Sequence, residues 1–174
     1  MTPLVVFTVG HSTRAIDDFV QLLKAHGIQH VVDVRSIPHS RHNPQFGRDR
    51  LSSTLLTFHV HYTHLPGLGG RRRARSDSRN TGWRNAGFRG YADHMETPEF
   101  RNSLNTCIAL AQMEPTALMC AEAVPWRCHH SLIADALLAR GVEVREIVSP
   151  RQTKRHTLRP LARIDGHHVT YPAP

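Results

Sequence analysis

The segment spanning residues 117–131 concentrates side chains that can carry out chemistry. It reads ALMCAEAVPWRCHHS and contains two thiols, Cys120 and Cys128, together with a carboxylate and two imidazoles. A thiolate is a nucleophile, and neighbouring cations or a helix N-terminus lower the pKa of a thiol. A carboxylate such as Glu122 can accept or deliver a proton. The predicted catalytic residues are therefore Cys120, Glu122, Cys128 and His129.

The three cysteines differ in their surroundings. Cys120 ends an apolar run, and we expect a nucleophile or sulfur carrier there, with a buried structural thiol as the alternative. Cys128 lies just before a predicted helix, which indicates a resolving thiol or a packed loop residue. Cys107 falls in an apolar stripe at helical spacing and is predicted to lie in the core.

Metal binding is a rival use of the same segment. Cys120, Glu122, Cys128 and His129 are all residue types that bind divalent metals. Their spacing matches no CxxC knuckle, and no second ligand pair stands out in the sequence. We therefore predict no cofactor and keep a divalent metal on these four residues as the alternative.

The remaining candidate residues are expected to bind substrate, most of them at loops after other strands. The alternative role of Ser12 is that of a helix cap, and the alternative for Asp33 and Arg35 is a structural ion pair. A glycine-rich turn over residues 67–70 could bind an anion through its amides or be a flexible surface loop. The predicted substrate- or phosphate-binding residues are His11, Ser12, Asp33, Arg35, Ser40, Arg41, Gly69, Gly70, Arg71, Tyr91, Arg127 and His130.

Charge favours an anionic partner. Lysine and arginine total 22 against 14 acidic residues, a formal net charge of +8, and only Lys24 and Lys154 are lysines. Arginine presents a fork of donors that suits phosphate oxygens. We expect a nucleotide or nucleic acid as partner, the alternative being a soluble protein in which arginine simply replaces lysine. The sequence leaves the oligomeric state open.

The elements that must position these residues alternate between strand and helix. Apolar, β-branched runs predict strands over residues 4–10, 30–35, 59–65, 116–120 and 142–148, with a weak strand at 168–171. Helices are predicted after Ser12 or Thr13, over 51–58, after Thr97 and after Ser131. This alternation predicts an α/β fold, a three-layer sandwich whose mostly parallel central sheet is flanked by helices. Ligands of such sheets bind beyond the carboxyl ends of the strands.

Two segments lack an apolar period. Residues 66–90 contain seven arginines and six glycines, and we predict a long irregular loop that occupies most of the stretch 66–95. Trp83, Phe88 and Tyr91 interleave with its arginines, which suits a base-stacking surface or a loop pinned to the core. Residues 149–174 form a basic extension. The 174 residues are predicted to fold as a single domain.

Location follows from what the chain lacks. No apolar run approaches the roughly 18 residues that span a bilayer, so no membrane partner is expected. The apolar start, MTPLVVFTVGHS, has no basic region and is interpreted as a strand rather than a signal peptide. Three cysteines are too few, and odd in number, for a disulfide framework. We therefore expect a cytoplasmic protein with reduced thiols.

Five segments in order resemble one known family. They are GHST at 10–13, VVDVRSIPHSRHNPQF at 31–46, LPGLGGRR at 65–72, GFRGYADHM at 87–95 and LMCAEAVPWRCHHSLIADAL at 118–137. Together they resemble the bacterial "domain of unknown function 488" family over almost the whole chain. The resemblance supports the fold and the site, and it assigns no reaction. Relatives usually read Cys-His-Arg-Ser where this chain has Cys128-His129-His130-Ser131. If that arginine binds a phosphate in relatives, binding here is expected to be weaker or pH-dependent.

A fainter resemblance is to rhodanese-like sulfurtransferases. VVDVR at 31–35 is similar to their aspartate–arginine strand, and Cys120 occupies a place like their sulfur-carrying cysteine. The loop that follows is longer than theirs and carries Glu122. This resemblance implies thiol chemistry with an anion held by loop amides.

Three hypotheses about function follow from the sequence. The first is a thiol-dependent enzyme, rhodanese-like or nucleic-acid-processing, that acts on a phosphate-bearing substrate. The second is a DNA- or RNA-binding or DNA-repair-type protein in which the arginine-rich loop contacts phosphates and the cysteines are structural. The third is a hydrolase with a metal bound by cysteine, histidine and glutamate.

Overall fold

Alternating strands and helices build one mixed sheet with helices on both faces. The computed structural model describes residues 2–123 and 128–174. The sheet strands are β1 (Val5–Gly10), β2 (His30–Asp33), β3 (His61–His64), β4 (Thr116–Cys120), β5 (Glu143–Ser149) and β6 (Gln152–Arg155). The helices are α1 (Ile16–Ala25), α2 (Arg48–Thr57), α3 (Ala86–His94), α4 (Pro98–Met113) and α5 (His130–Leu138). Strands β7 (Arg163–Asp165) and β8 (His168–Thr170) form a separate antiparallel pair.

The strand order confirms the predicted α/β sandwich. The sheet runs β3-β2-β4-β1-β5-β6. The first five strands in that order are parallel, and β6 pairs antiparallel with β5. The chain moves from β1 outward to β2 and β3, returns to β4 beside β1, and then leaves in the other direction to β5. Reversals of this kind leave a crevice beyond the strand carboxyl ends.

Each face of the sheet buries its own core because successive strand side chains point to opposite faces. On one face, Leu118 and Val144 pack among residues of α3, α4 and α5. On the other face, Ala117 and Met119 pack among residues of α1 and α2. Cys107 lies fully buried in the first core, where burial raises the pKa of its thiol to about 12.

The predicted loop over residues 66–90 ends earlier than expected. Helix α3 begins at Ala86, and the side chain of Asn85 accepts hydrogen bonds from the backbone amides of Gly87 and Phe88. The glycines and arginines of this stretch hide an apolar spacing of Phe88, Tyr91, Ala92 and Met95, three of which are buried and the fourth packed against the same core. Strand β6 was also missed, because its polar sequence QTKR carries no apolar alternation.

Two of the predicted helix caps are wrong. Helix α1 begins at Ile16, and Ser12 instead adopts a left-handed backbone with φ of 49°. Helix α5 begins at His130, and the hydroxyl of Ser131 donates to the carbonyl of Cys128. The cap of α4 is confirmed, since Thr97 Oγ1 accepts a hydrogen bond from the Phe100 amide. Within the described residues, no helix has the length and apolarity needed to cross a bilayer.

Candidate functional site

The carboxyl edge of the parallel strands gathers the chemistry-bearing residues. Cys120 is the last residue of β4, and His11 directly follows β1 in the neighbouring position. Arg35 lies two residues beyond β2, on the other side of β4. Parallel strands ending at the same level therefore bring segments from distant parts of the sequence to one place.

Gly10 allows the loop after Cys120 to cross closely over the end of β1. A Cβ atom at Gly10 would lie 2.1 Å from the carbonyl oxygen of Glu122, a distance that no side chain tolerates. The amides of His11 and Ser12 donate to the carbonyls of Cys120 and Ala121, both at 2.9 Å. These contacts fix the start of the cysteine-containing loop against β1.

Each thiol contacts an imidazole. Cys120 Sγ lies 2.9 Å from His130 Nδ1 and 3.1 Å from the Glu122 carbonyl oxygen. Cys128 Sγ lies 3.5 Å from His129 Nδ1. Both thiols are buried, with 2% and 8% of the residue surface exposed, yet both border a cavity.

The contact between the two thiols separates their pKa values. A hydrogen bond from the Cys120 thiol lowers the pKa of Cys128 far below that of a free cysteine, and His129 and His130 lower it further. The same hydrogen bond, together with burial, raises the pKa of Cys120. The two opposite shifts favour a negative charge on Cys128 over one on Cys120.

His129 is oriented for interaction with the Cys128 thiol. Its Nε2–H donates to the Val34 carbonyl at 3.1 Å, so Nδ1 lacks a proton in the neutral ring and faces sulfur. The ring lies against Tyr91, with centroids 4.8 Å apart. On another side, a Cβ at Gly70 would come within 3.0 Å of His129 Nδ1, so glycine permits this close approach.

Asp33 and Arg35 form a buried ion pair beside the thiols. Arg35 Nε and Nη2 donate to the two Asp33 carboxylate oxygens at 2.9 and 2.7 Å. Nη2 also donates to the Phe46 carbonyl, and the Tyr62 hydroxyl donates to Asp33. Asp33 is fully buried and Arg35 is 7% exposed at the cavity wall. The pair is thus both the structural ion pair and a candidate site element.

His11 is held as a neutral imidazole. Its Nδ1–H donates to the Ser12 carbonyl at 2.8 Å, and its Nε2 accepts from Arg35 Nη1 at 3.4 Å. The ring stacks on Phe46 with centroids 4.3 Å apart. Burial lowers the pKa of His11, and the charge of Arg35 lowers it further against the opposing hydrogen bond to Ser12.

A cavity of about 560 Å³ opens above these groups. Its lining combines the two thiols with three arginines and the carboxylate of Glu122. From the predicted residues it contains His11, Arg35, Ser40, Arg41, Gly70, Arg71, Cys120, Glu122, Cys128 and His129. Ser36, Ile37, His39 and Ala121 also line it and were not predicted. The first three continue the chain between Arg35 and Ser40, so their position in the sequence was the available signal.

The other predicted binding residues lie behind this lining. Asp33 supports Arg35, and His130 contacts Cys120 from the protein interior. Tyr91 is 1% exposed, and its hydroxyl donates to the Leu68 carbonyl while its ring supports His129. Gly69 packs on Ser36, and Ser12 bonds the Ala121 carbonyl. Arg127 lies outside the described residues.

The ligand atoms that could hold a metal differ from the predicted set. One sulfur each from Cys120 and Cys128 and a ring nitrogen of His130 lie within 4.8 Å of one another. His130 therefore provides the third potential ligand atom, a role that the sequence analysis gave to Glu122 and His129. The Nε2 atom of His130 is buried and has no hydrogen-bond partner among the described residues.

The arginines of the stretch 66–95 have divided roles. Arg75 pairs with Asp77, Arg79 pairs with Glu96, and Arg72 donates to the carbonyls of Gly69 and Pro66. Arg71 differs, because it is exposed at the rim of the cavity with a left-handed φ of 58°. Trp83 stacks on Phe88 and packs against Tyr171, so these aromatics attach the loop to the core.

A comparison with family models identifies the group of proteins. The model of "Domain of unknown function DUF488" matches residues 15–137 of the 174. The chain belongs to the DUF488 family. The match includes α1 to α4, Cys120, Cys128 and most of α5, and so it spans most of the cavity. No curated protein and no solved structure matches this DUF488 chain.

Proposed function

We propose that this DUF488 protein is a thiol-dependent enzyme that acts on a phosphate-bearing substrate, a nucleotide or nucleic acid. The observation that carries the proposal is the meeting of two thiols and two imidazoles beneath an arginine-lined cavity. A nucleophile needs activation by a neighbouring base or a lowered pKa, and both features are present here.

Cys128 is the nucleophile in this proposal, and Cys120 is the thiol that supports it. This exchanges the roles expected from the sequence. The lowered pKa of Cys128 favours a thiolate, and the contact with His129 Nδ1 provides a place for the displaced proton. Cys128 also lies just before α5, where the positive end of the helix dipole favours a negative charge.

Arg35, Arg41 and Arg71 supply the binding of phosphate oxygens. Arg35 is fixed by Asp33 and therefore presents a rigid guanidinium at the cavity wall. Arg41 and Arg71 are exposed at the same cavity and add donors from two separate loops. Arg41 and Arg71 can offer the bidentate fork that suits phosphate. Arg35 would instead contact a phosphate oxygen through Nη1, because its Nε and Nη2 donate to Asp33 and Phe46.

Alkylation by iodoacetamide at pH 6 tests the thiolate. A free cysteine is almost wholly protonated at this pH, so a thiolate should react more than about tenfold faster than free cysteine. We expect rapid modification of Cys128 in the wild type and in the Cys107→Ser control, and its loss in Cys128→Ser. If no cysteine of the folded wild type reacts faster than free cysteine, the thiol mechanism is excluded.

Protection of Cys128 from alkylation tests the substrate class. Inorganic phosphate, a nucleoside monophosphate and a short oligonucleotide should each slow the reaction if they occupy the cavity. Arg71→Ala should weaken this protection, whereas Arg73→Ala, an exposed neighbour outside the cavity lining, should leave it unchanged. Protection by none of the three compounds would refute a phosphate-bearing substrate.

A metal-dependent hydrolase is the second candidate, favoured by the convergence of Cys120, Cys128 and His130. Two thiolates and one imidazole with an open fourth position resemble the donor set that zinc enzymes use to activate water. Glu122 borders the same cavity outside this ligand set and would carry the proton. Metal analysis of protein purified without a histidine tag decides between the candidates: one equivalent of zinc lost in Cys120→Ser supports the hydrolase, and its absence supports the free thiolate.

A further inference from the structure

A second cluster of potential ligands lies at the amino edge of the sheet, opposite the cavity. His30 and His61 are the first residues of β2 and β3, and the two strands pair with these residues in register. Glu114 directly follows the last residue of α4 and lies two residues before β4. Ligand atoms of all three residues lie within 4.8 Å of one another.

Both imidazoles converge on one carboxylate oxygen. His30 Nδ1 lies 2.9 Å and His61 Nδ1 lies 2.5 Å from Glu114 Oε1. His30 is buried, whereas the side chain of His61 is 63% exposed and that of Glu114 is 20% exposed. The cluster therefore has one fixed ligand, two ligands that can adjust, and an open side that faces solvent.

The other nitrogen of His30 is held by a hydroxyl. His30 Nε2 lies 2.7 Å from Thr63 Oγ1. When Thr63 accepts the Nε2 proton, Nδ1 of the neutral ring presents a lone pair towards Glu114. Metal-binding histidines almost always have such a partner on the nitrogen that does not contact the metal. Thr63 thus supplies the orienting group that a histidine ligand requires.

We propose that His30, His61 and Glu114 bind a divalent transition-metal ion of the zinc class. Two imidazole nitrogens and one carboxylate oxygen form a three-ligand set, and solvent completes the tetrahedron. Ligands about 2.0–2.2 Å from such an ion are separated by about 3.3 Å. The two nitrogen–oxygen separations observed, 2.9 and 2.5 Å, need to lengthen by less than about 1 Å to reach that value, and the exposed His61 side chain can make this adjustment. Nitrogen ligands favour this class over magnesium or calcium.

Another histidine–carboxylate contact in the chain shows what distinguishes this cluster. His156 Nε2 lies 2.7 Å from Asp135 Oδ1, but Asp135 also accepts hydrogen bonds from the Tyr171 hydroxyl and the Arg159 amide. That carboxylate is fully buried and surrounded by fixed donors. Among the described residues, Glu114 Oε1 contacts the two imidazoles and no other donor. Both of those donors become ligands once they lose a proton.

Binding of the ion would stabilise the pairing of β3 with the rest of the sheet. Strand β3 is the outermost strand on its side of the sheet, and His61 is its first residue. The ion would connect β3 to β2 and to the turn between α4 and β4. The expected consequence is a rise in stability with zinc concentration, because only the folded chain brings the three ligands together.

Cobalt and zinc titrations test the proposal on full-length, tag-free protein after treatment with a chelator. Cobalt bound by thiolates shows sulfur-to-metal absorption, so the cysteine cluster is recognised separately from a nitrogen–oxygen site. We expect one equivalent of cobalt without that absorption in the wild type and in the exposed control His42→Gln. In His61→Gln the affinity of this equivalent should fall more than about tenfold. Equal affinity in His61→Gln and wild type, or no such equivalent in the wild type, would overturn the proposal.

Thr63→Val provides an independent check that removes no ligand. Valine is close to threonine in volume but cannot accept the His30 proton. We expect zinc affinity to fall about 10–100-fold, as it does when a metal ligand loses its outer partner. An unchanged affinity in this variant would contradict the role of Thr63. Neither outcome depends on the proposed thiol enzyme, since the two clusters lie at opposite edges of the sheet.

Discussion

The two edges of the central sheet hold their titratable groups in different ways. At the carboxyl edge, the thiols, His11 and Arg35 are almost completely buried and border a cavity. At the amino edge, His30 is buried, but the His61 imidazole and the Glu114 carboxylate of the same hydrogen-bonded cluster are exposed to solvent in part or for the most part. A buried charge loses its hydration, so leaving a charge unpaired costs more free energy at the first edge than at the second. Substitutions at the carboxyl edge should therefore cost more stability, which yields four predictions.

The largest effect is expected for Asp33→Asn. This change leaves the buried guanidinium of Arg35 without its counter-charge, and the loss of one partner of a buried pair costs about 3–5 kcal/mol. Asp77→Asn is a matched control, because Asp77 pairs with Arg75 across the same two-residue spacing but on the surface. Urea unfolding should show a large loss for the first variant and no measurable change for the second. Equal losses would contradict the contrast between buried and exposed charge.

Gly10→Ala should have the next largest effect. The added methyl group would meet the Glu122 carbonyl, so the loop after Cys120 must move away from β1. Overpacking of this kind costs about 1–3 kcal/mol. Gly27→Ala adds the same methyl group in open space, where the left-handed φ of 68° alone costs about 1 kcal/mol. Urea unfolding should show the larger loss in Gly10→Ala, and only this variant should slow the alkylation of Cys128.

The sequence carries a pattern that brings the carboxyl-edge residues together and none that brings the amino-edge residues together. Cys120 ends an apolar strand, His11 and Arg35 come shortly after one, and the rule for parallel sheets places such residues together. His30, His61 and Glu114 have no informative spacing, since only the register of β2 with β3 and the end of α4 bring them together. A sequence pattern reports periodicity within one segment and carries no information on register between segments.

The choice between neighbouring histidines was equally beyond the sequence. His129 and His130 are adjacent, yet one contacts Cys128 and the other contacts Cys120. The position of α5 decides this, because His130 is its first residue and points into the core. The family resemblance pointed to residues 118–137, but the backbone path after Cys128 determines which imidazole contacts which thiol.

A smaller effect is expected from acid on His11. Burial lowers the pKa of His11 in the folded chain below its value of about 6.5 in the unfolded chain. The unfolded state therefore binds a proton first as pH falls below about 6.5, and the folded state loses stability down to the folded pKa. His11→Gln should reduce the decline in unfolding free energy between pH 7.5 and pH 5.5. An identical decline in both proteins would contradict a buried, neutral His11.

The smallest effect is expected for His61→Gln in metal-free protein. The His61 side chain is largely exposed, and pairs of this kind contribute below about 1 kcal/mol. With zinc at one hundred times its dissociation constant, the wild type should gain about 2.7 kcal/mol that the variant lacks. Urea unfolding with chelator and with zinc separates the two conditions. A loss in chelator as large as that of Asp33→Asn would mean that the amino edge depends on this imidazole for folding, and the contrast between the edges would fail.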